Sequence, residues 1–292
     1  TSSYLEGDLN ALGEYGYNRD GKRGKLQIVI GLLADDQGEP LAARVFAGNT
    51  GDPATVAEQI RIVKEQFGVQ ELVFVGDRGM VKSKGKQALQ AEGLRYISAL
   101  TDPQIRKLLS TGTLQMSLFA EQVCEVEADG VRFVLRKNES QAAREQHRWD
   151  DKLAGCYAVV TDVPKERMNE QAVHDTYVSL QKVERDFRLM KTGLLEVRPL
   201  FVRKESRTRG HVFCCMLALK LSREIERRLQ AAFGTTDADP HASTVPDALA
   251  ALSRLCLLEY QIDEKTTVTR LPKPDARQKE ILAALQVHPP EK

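Results

Sequence analysis

Apolar blocks near the start of the chain have the length and texture of strands. Residues 25–34 (KLQIVIGLLA) form an apolar, β-branched run, Asp35-Asp36-Gln37-Gly38 supply turn chemistry, and residues 41–46 (LAARVF) resume an extended pattern. Together they predict an antiparallel hairpin. Asp52-Pro53 then reads as an N-cap with proline at the first helical position, opening a helix over 54–67 with Val56, Ile60 and Val63 as its buried stripe; Gly68 ends it. Residues 71–76 (ELVFVG) are nearly all apolar, the texture of a strand covered by helices on both faces. A helix over 82–92 that stops at Gly93 and a strand over 94–100 (LRYISAL) follow. The order strand, strand, helix, strand, helix, strand predicts an α/β fold with functional groups at strand ends.

From residue 102 to 175 the texture changes. Residues 123–126 and 131–136, separated by Ala128-Asp129-Gly130, predict a hairpin with a D-G turn. A polar helix over 140–153 carries the only tryptophan, Trp149, and residues 157–161 (YAVVT) make a short strand. This stretch is expected to be an insertion into the main domain. The chain returns through residues 177–191 (YVSLQKVERDFRLMK), where Val178, Leu180, Val183, Phe187, Leu189 and Met190 recur at helical spacing and Thr192-Gly193 forms a stop. Farther on, a linker over 234–246 leads to a helix over 247–259, a proline-containing stretch and a last helix near 278–286. Ala248, Leu249, Leu252, Leu255 and Cys256 are expected to pack on the body. The expected divisions are 1–101, 102–175, 176–232 and 233–292.

Composition adds bounds. With 292 residues, 42% apolar and 28% charged, the chain has material for a large core. No run of 18 apolar residues suggests a membrane span. The sequence opens at Thr1 without a charged-then-apolar leader. Five cysteines without a C-x-x-C pair argue against a disulfide framework or zinc ribbon and set a cytoplasmic expectation. The five histidines lack ligand spacing, so a metal here would be held by carboxylates. Net charge is only +1, yet residues 182–228 hold thirteen Lys or Arg against six Asp or Glu. Such a segment is an electrostatic footprint for phosphates, or else a solvated helix pair.

Two carboxylates stand out. On a helix, Tyr177, Glu184 and Lys191 lie seven apart and drift about 20° per step, so they form one stripe. Asp77 ends the apolar strand of residues 71–76, where a carboxylate can reach a ligand from a rigid backbone. Glu184 also reads as a solvated helix residue, Asp77 as a turn former, and Lys191 as a helix-terminal charge. Arg78 fits a phosphate contact or a salt-bridge partner equally.

The chain resembles the DDE-type transposases of bacterial insertion sequences, in the group whose third acidic residue sits in Y-x-x-R-x-x-x-E followed by six residues and Lys. Tyr177, Glu184 and Lys191 match that spacing, with Leu180 where the family has Arg. GYNRDGKRGKLQIVIGLLADDQGEPLAARVFAGNTGDPAT, FVGDRGM around Asp77 and RPLFVRKESRTRGHVFCCMLAL after the glutamate match as well, and the likeness covers roughly residues 1 to 230. It implies an RNase H-like mixed sheet flanked by helices, a β-containing insertion between the second and third acidic positions, and a helical C-terminal tail. It implies three carboxylates holding two divalent ions, Mg²⁺ or Mn²⁺, with Asp77 second and Glu184 third. Tyr177, Lys191, Arg198, Arg203, Lys204, Arg207 and Arg209 would contact DNA. The first carboxylate belongs on a strand just before a segment resembling Thr1-Ser2-Ser3-Tyr4 and is therefore expected upstream. Asp8, Asp20, Asp35 and Asp36 fall in turns or loops. The implied activity is strand cleavage and strand transfer at element ends, on double-stranded DNA and in a homodimeric synaptic complex. A metal-dependent nuclease on the same core and a non-catalytic DNA-binding remnant are the alternatives.

Overall fold

The computed structural model describes residues 1–18, 20–69, 71–78, 83–146, 153–192, 195–235, 243–262, 267–270 and 272–289. Gly79, Met80, Lys82, Trp149, Gly193 and the middle of the expected linker lie outside the described residues.

The first apolar blocks form a three-stranded antiparallel sheet of β1 (Ser2–Tyr4), β2 (Gln27–Ala34) and β3 (Pro40–Ala47), in that spatial order. The β2–β3 turn closes as its residues suggest. Asp35 Oδ1 accepts the N–H groups of Gln37 and Glu39, and Gly38 takes the left-handed backbone (φ +81°) the turn needs. Ile28, Ile30 and Val45 pack from the sheet into a core with Leu5, Met190, Leu200, Val212 and Leu219.

Helix α1 (Asp52–Glu65) starts and ends two residues earlier than the expected 54–67. Gly51, extended at φ −80° and ψ 152°, is the cap, and Asp52 and Pro53 are already helical. Proline is tolerated there because first-turn N–H groups have no partner within the helix.

The second sheet is mixed and has five strands in the order β4-β5-β8-β7-β6. Strands β4 (Val73–Gly76) and β5 (Arg95–Ala99) run parallel, joined through α2 (Ser83–Ala91). Strands β6 (Cys124–Ala128), β7 (Val131–Lys137) and β8 (Cys156–Thr161) add antiparallel. The stretch read as an insertion thus supplies three of the sheet's five strands. Its first helix, α3 (Asp102–Ser110), went unread, although Thr101 and Gln104 form a capping box around Pro103. The hairpin between β6 and β7 turns at Asp129 and Gly130, both at positive φ. Helices flank this mixed α/β body, including α4 (Glu139–Gln146), α5 (Glu170–Val178), α6 (Leu180–Lys191) and the 29-residue α7 (Glu205–Phe233).

The tail departs from the sequence reading. Helix α8 (Val245–Leu252) stops short of the expected 259, and Leu258 and Glu259 belong instead to β9 (Leu258–Gln261), which pairs with β10 (Thr267–Arg270), whose TVTR sequence is β-branched. Ala248 of α8 and Ile281 and Leu285 of α9 (Ala276–Leu285) bury against Leu229 of α7. No helix among the described residues is long and apolar enough to cross a membrane.

Candidate active site

The helix read as continuous from Tyr177 to Lys191 is broken at Ser179, which ends α5 and begins α6. The Ser179 hydroxyl donates to the Thr176 carbonyl at 2.6 Å, a back-bond of the kind that bends helices. Tyr177 therefore stands on the last turn of α5 and Glu184 on α6.

Asp77 follows β4 directly, with its carbonyl accepting from Ser98 Oγ of β5 at 3.3 Å and its Oδ1 accepting the Arg78 N–H at 2.6 Å. Asp77 and Glu184, 107 residues apart in sequence, line the same cleft of about 830 Å³. Its walls are β2 (Val29 to Ala34) and β4 (Val73 to Val75), its ends α1 and α6 with Val63, Leu180, Val183 and Phe187. The lining is mainly apolar, and Asp35 and Asp36 of the β2–β3 turn line it together with Asp77 and Glu184. Leu180, where the family motif has Arg, adds to the apolar lining.

Tyr177 belongs to the same neighbourhood. Burial pushes its phenol up to about 12, the negative charges of Asp77 and Glu184 push the same way, and Arg78 opposes them by charge and by hydrogen bonding. Arg78 also lies 3.4 Å from Asp102, so the salt-bridge reading has a partner. The phenol stays protonated at neutral pH and can donate a hydrogen bond.

Lys191 does not share this cleft. Its ammonium is 2.8 Å from Asp20 Oδ1, and Arg198 Nη1 reaches the same oxygen at 2.5 Å. Arg209 donates to the Val45 carbonyl at 2.7 Å and pairs with Glu205. Arg203, Lys204 and Arg207 are exposed and make no ion pair with any described residue. The seven basic or aromatic candidates thus divide into Tyr177, close to Asp77 and Glu184, three cations with protein partners, and three facing water.

Two features escaped the sequence reading. Asp20 falls in a loop by sequence, and only its spacing after Asn18, whose side chain accepts the Asp20 and Lys22 N–H groups, hints at a built turn. Buried His174 of α5 joins Tyr157 of β8 (2.5 Å) and Arg136 of β7 (3.0 Å) through Nε2 and Asp175 (2.8 Å) through Nδ1. Because Nε2 faces an arginine donor it must accept, so Nδ1 carries the proton toward Asp175. This network fixes α5, and with it Tyr177, to the five-stranded sheet.

Carboxylate oxygens suit a hard divalent ion, and Asp77 and Glu184 supply two such groups to one cleft. Among the described residues no group of three or more Asp, Glu, His or Cys side chains converges closely enough to hold a metal.

The model of one protein family, the transposase DDE domain, matches residues 6–221, which is 216 of the 292 residues. No curated protein matches the chain. A similar solved structure is the cryo-EM structure of a piggyBac transposase synaptic complex with hairpin DNA, at 9% identity and a TM-score of 0.45, covering 94% of this chain and 49% of that one. The chain spans about half the length of that structure. By the family match over most of its length, the chain belongs to the transposase DDE domain family.

Proposed function

We propose that this chain is the catalytic part of an insertion-sequence transposase with an RNase H-like core, which cuts a DNA strand at an element end and joins the freed 3′-hydroxyl to target DNA. The cleft carries this reading. Strand β1 pairs with β2 only through Val29, and Thr1 and Ile30 exchange a last pair of backbone bonds at 2.7 Å. Past Ile30 no described strand pairs with that edge of β2, and β4 pairs on one edge only, with β5. Both free edges and their apolar side chains line the cleft. A further strand preceding Thr1, continuing β1 between β2 and β4, fits this gap and would bring a third carboxylate beside Asp77 and Glu184.

In this reading Asp77 and Glu184 would hold divalent ions, Mg²⁺ or Mn²⁺, which would supply Lewis-acid activation of the phosphodiester and of the attacking oxygen. Tyr177, kept as a phenol, donates to a phosphate oxygen. Arg203, Lys204 and Arg207 supply salt-sensitive contacts that position double-stranded DNA without reading its sequence. Rigid placement of Asp77 at a strand end keeps the ligand geometry that such chemistry needs.

The test is Mg²⁺- or Mn²⁺-dependent cleavage of a cognate transposon-end duplex by three proteins: this chain, the chain extended upstream through one more strand, and the extended chain with Glu184→Gln. Cleavage by the extended chain alone, abolished by Glu184→Gln, is the expected result. Folded, DNA-bound extended protein that does not cut would overturn it in favour of a DNA-binding remnant, the reading that Leu180 in place of the motif arginine favours. Cutting without joining would leave a nuclease.

A further inference from the structure

The helix that carries Glu184 is tied down at two places beyond that residue, by largely buried ion pairs. Toward its middle, Asp186 is buried with Oδ2 at 3.0 Å from Arg223 Nη1, and Arg223 also donates to the carbonyls of Gly38 and Gln37 in the β2–β3 turn. At its end, Lys191 (10% exposed) and Arg198 (26% exposed) converge on one oxygen of Asp20, whose side chain is 1% exposed. Arg198 Nε further donates to the Lys191 carbonyl at 3.3 Å, covering one of the free carbonyls that end a helix. The turn that presents Asp20 is itself built, with Asn18 Oδ1 accepting from Asp20 and Lys22 and Gly21 at φ +70°.

We infer that Asp20 is a positioning residue for Glu184: by holding Lys191 and Arg198 together it pins the end of α6 and fixes where the glutamate stands in the cleft. The physical warrant is the charge count. Two cations share one carboxylate that is withdrawn from water, and removing it takes the shared counter-ion from both, the costly way to break a buried pair. Asp20 lies outside the cleft, so it acts through α6 and touches no reacting atom. Lys191 spends its charge on the fold. Only the last step, from helix position to catalysis, rests on the reading of Glu184 as a metal-binding carboxylate; the clamp itself is read without activity.

Hydrogen exchange on this chain tests the clamp. Asp20→Asn keeps the volume and removes the charge, and should speed exchange in residues 186–191 by at least about tenfold while the β4–β8 sheet is unchanged. Asp20→Glu, which restores the charge, and the double variant Asp20→Asn/Lys191→Met, which removes one stranded cation, should each recover most of that protection. Should Asp20→Asn unfold the chain, the double variant alone decides: a folded double variant supports the clamp, and one equally unfolded refutes it. The functional step is read in the upstream-extended protein, where Asp20→Asn should lower cleavage turnover with DNA affinity held, and Asp20→Glu should rescue it. Loosening confined to residues 15–25 would overturn the inference. So would tighter DNA binding by Asp20→Asn with a steeper salt dependence, since Asp20 would then merely cover a phosphate seat. If the extended protein is inactive, the function proposed above fails while the exchange data still judge the clamp.

Discussion

Met190→Ala should separate the inward from the outward face of the glutamate helix. Met190 is 1% exposed and packs with Ile28, Ile30 and Val45 of the three-stranded sheet and Leu219 of α7, whereas its neighbour Leu189 is 37% exposed. The substitution removes three heavy atoms, worth roughly 2 kcal/mol of transfer at about 0.8 kcal/mol per methylene-sized group. Closely packed surroundings relax only in part, so the residual cavity adds to this, and the total falls in the range of about 2–5 kcal/mol. Leu189→Ala should cost less than about 1 kcal/mol, because a partly exposed side chain loses little burial. Urea denaturation followed by far-UV circular dichroism reads both as midpoint shifts at constant slope. Equal costs for the two variants, or a loss below about 1 kcal/mol for Met190→Ala, would mean that α6 is rotated from the phase described and that Glu184 does not face the cleft.

Other outcomes follow from particular sites. A Cβ on Gly48 would lie 2.1 Å from the Gln27 carbonyl oxygen and 2.4 Å from that of Glu14, so Gly48→Ala should lower the thermal midpoint sharply. Gly210→Ala, in open space on α7, should be neutral or raise stability by up to about 1 kcal/mol. Lys86 lies 4.8 Å from the Tyr96 ring centre, and burial lowers its pKa below that of the unfolded chain. Its stabilising contribution is therefore complete above the unfolded value and declines as pH falls through the folded one. Lys86→Met should flatten that alkaline rise in a pH series of denaturation curves. Replacing Arg203, Lys204 and Arg207 together by Gln should weaken duplex binding at all sequences and reduce the slope of log affinity against log salt by roughly 2.7, at about 0.9 per phosphate contact. An unchanged slope in a filter or fluorescence titration would remove these residues from the DNA face.

How much of this was legible depended on how local each cause was. The β2–β3 hairpin, β4 with Asp77 at its end, and the β6–β7 turn are written in strand texture and turn chemistry, and the structure has them. The break at Ser179 hides because a serine back-bond leaves the helical periodicity of residues 177–191 intact. The hairpin at β9–β10 hides for the opposite reason, since residues 247–259 carry apolar spacing that suits a helix as well as a strand. Tyr177 and Glu184 share a stripe in the sequence and a neighbourhood in space. Lys191 shares the stripe only, because its orientation is set by Asp20, 171 residues away, and no spacing rule reports a charge that far off. The stretch 102–175 announces its β content through the D-G turn and the YAVVT run, while the pairing of its strands with β5 depends on contacts remote in sequence.

The cover of the three-stranded sheet sets a schedule for the chain during synthesis. Ile28, Ile30 and Val45 are made within the first 47 residues, yet the side chains that bury them, Met190, Leu200, Val212 and Leu219, come from α6, α7 and the segment between. At about 5–20 residues per second, the roughly 150 intervening residues take on the order of 10–30 seconds to emerge. Throughout that interval the sheet shows an apolar face and, among the described strands, the unpaired outer edge of β3, the combination most prone to pairing with a neighbouring nascent chain. Yield of folded protein should therefore depend on translation rate and chaperone supply more than on the stability of the finished molecule.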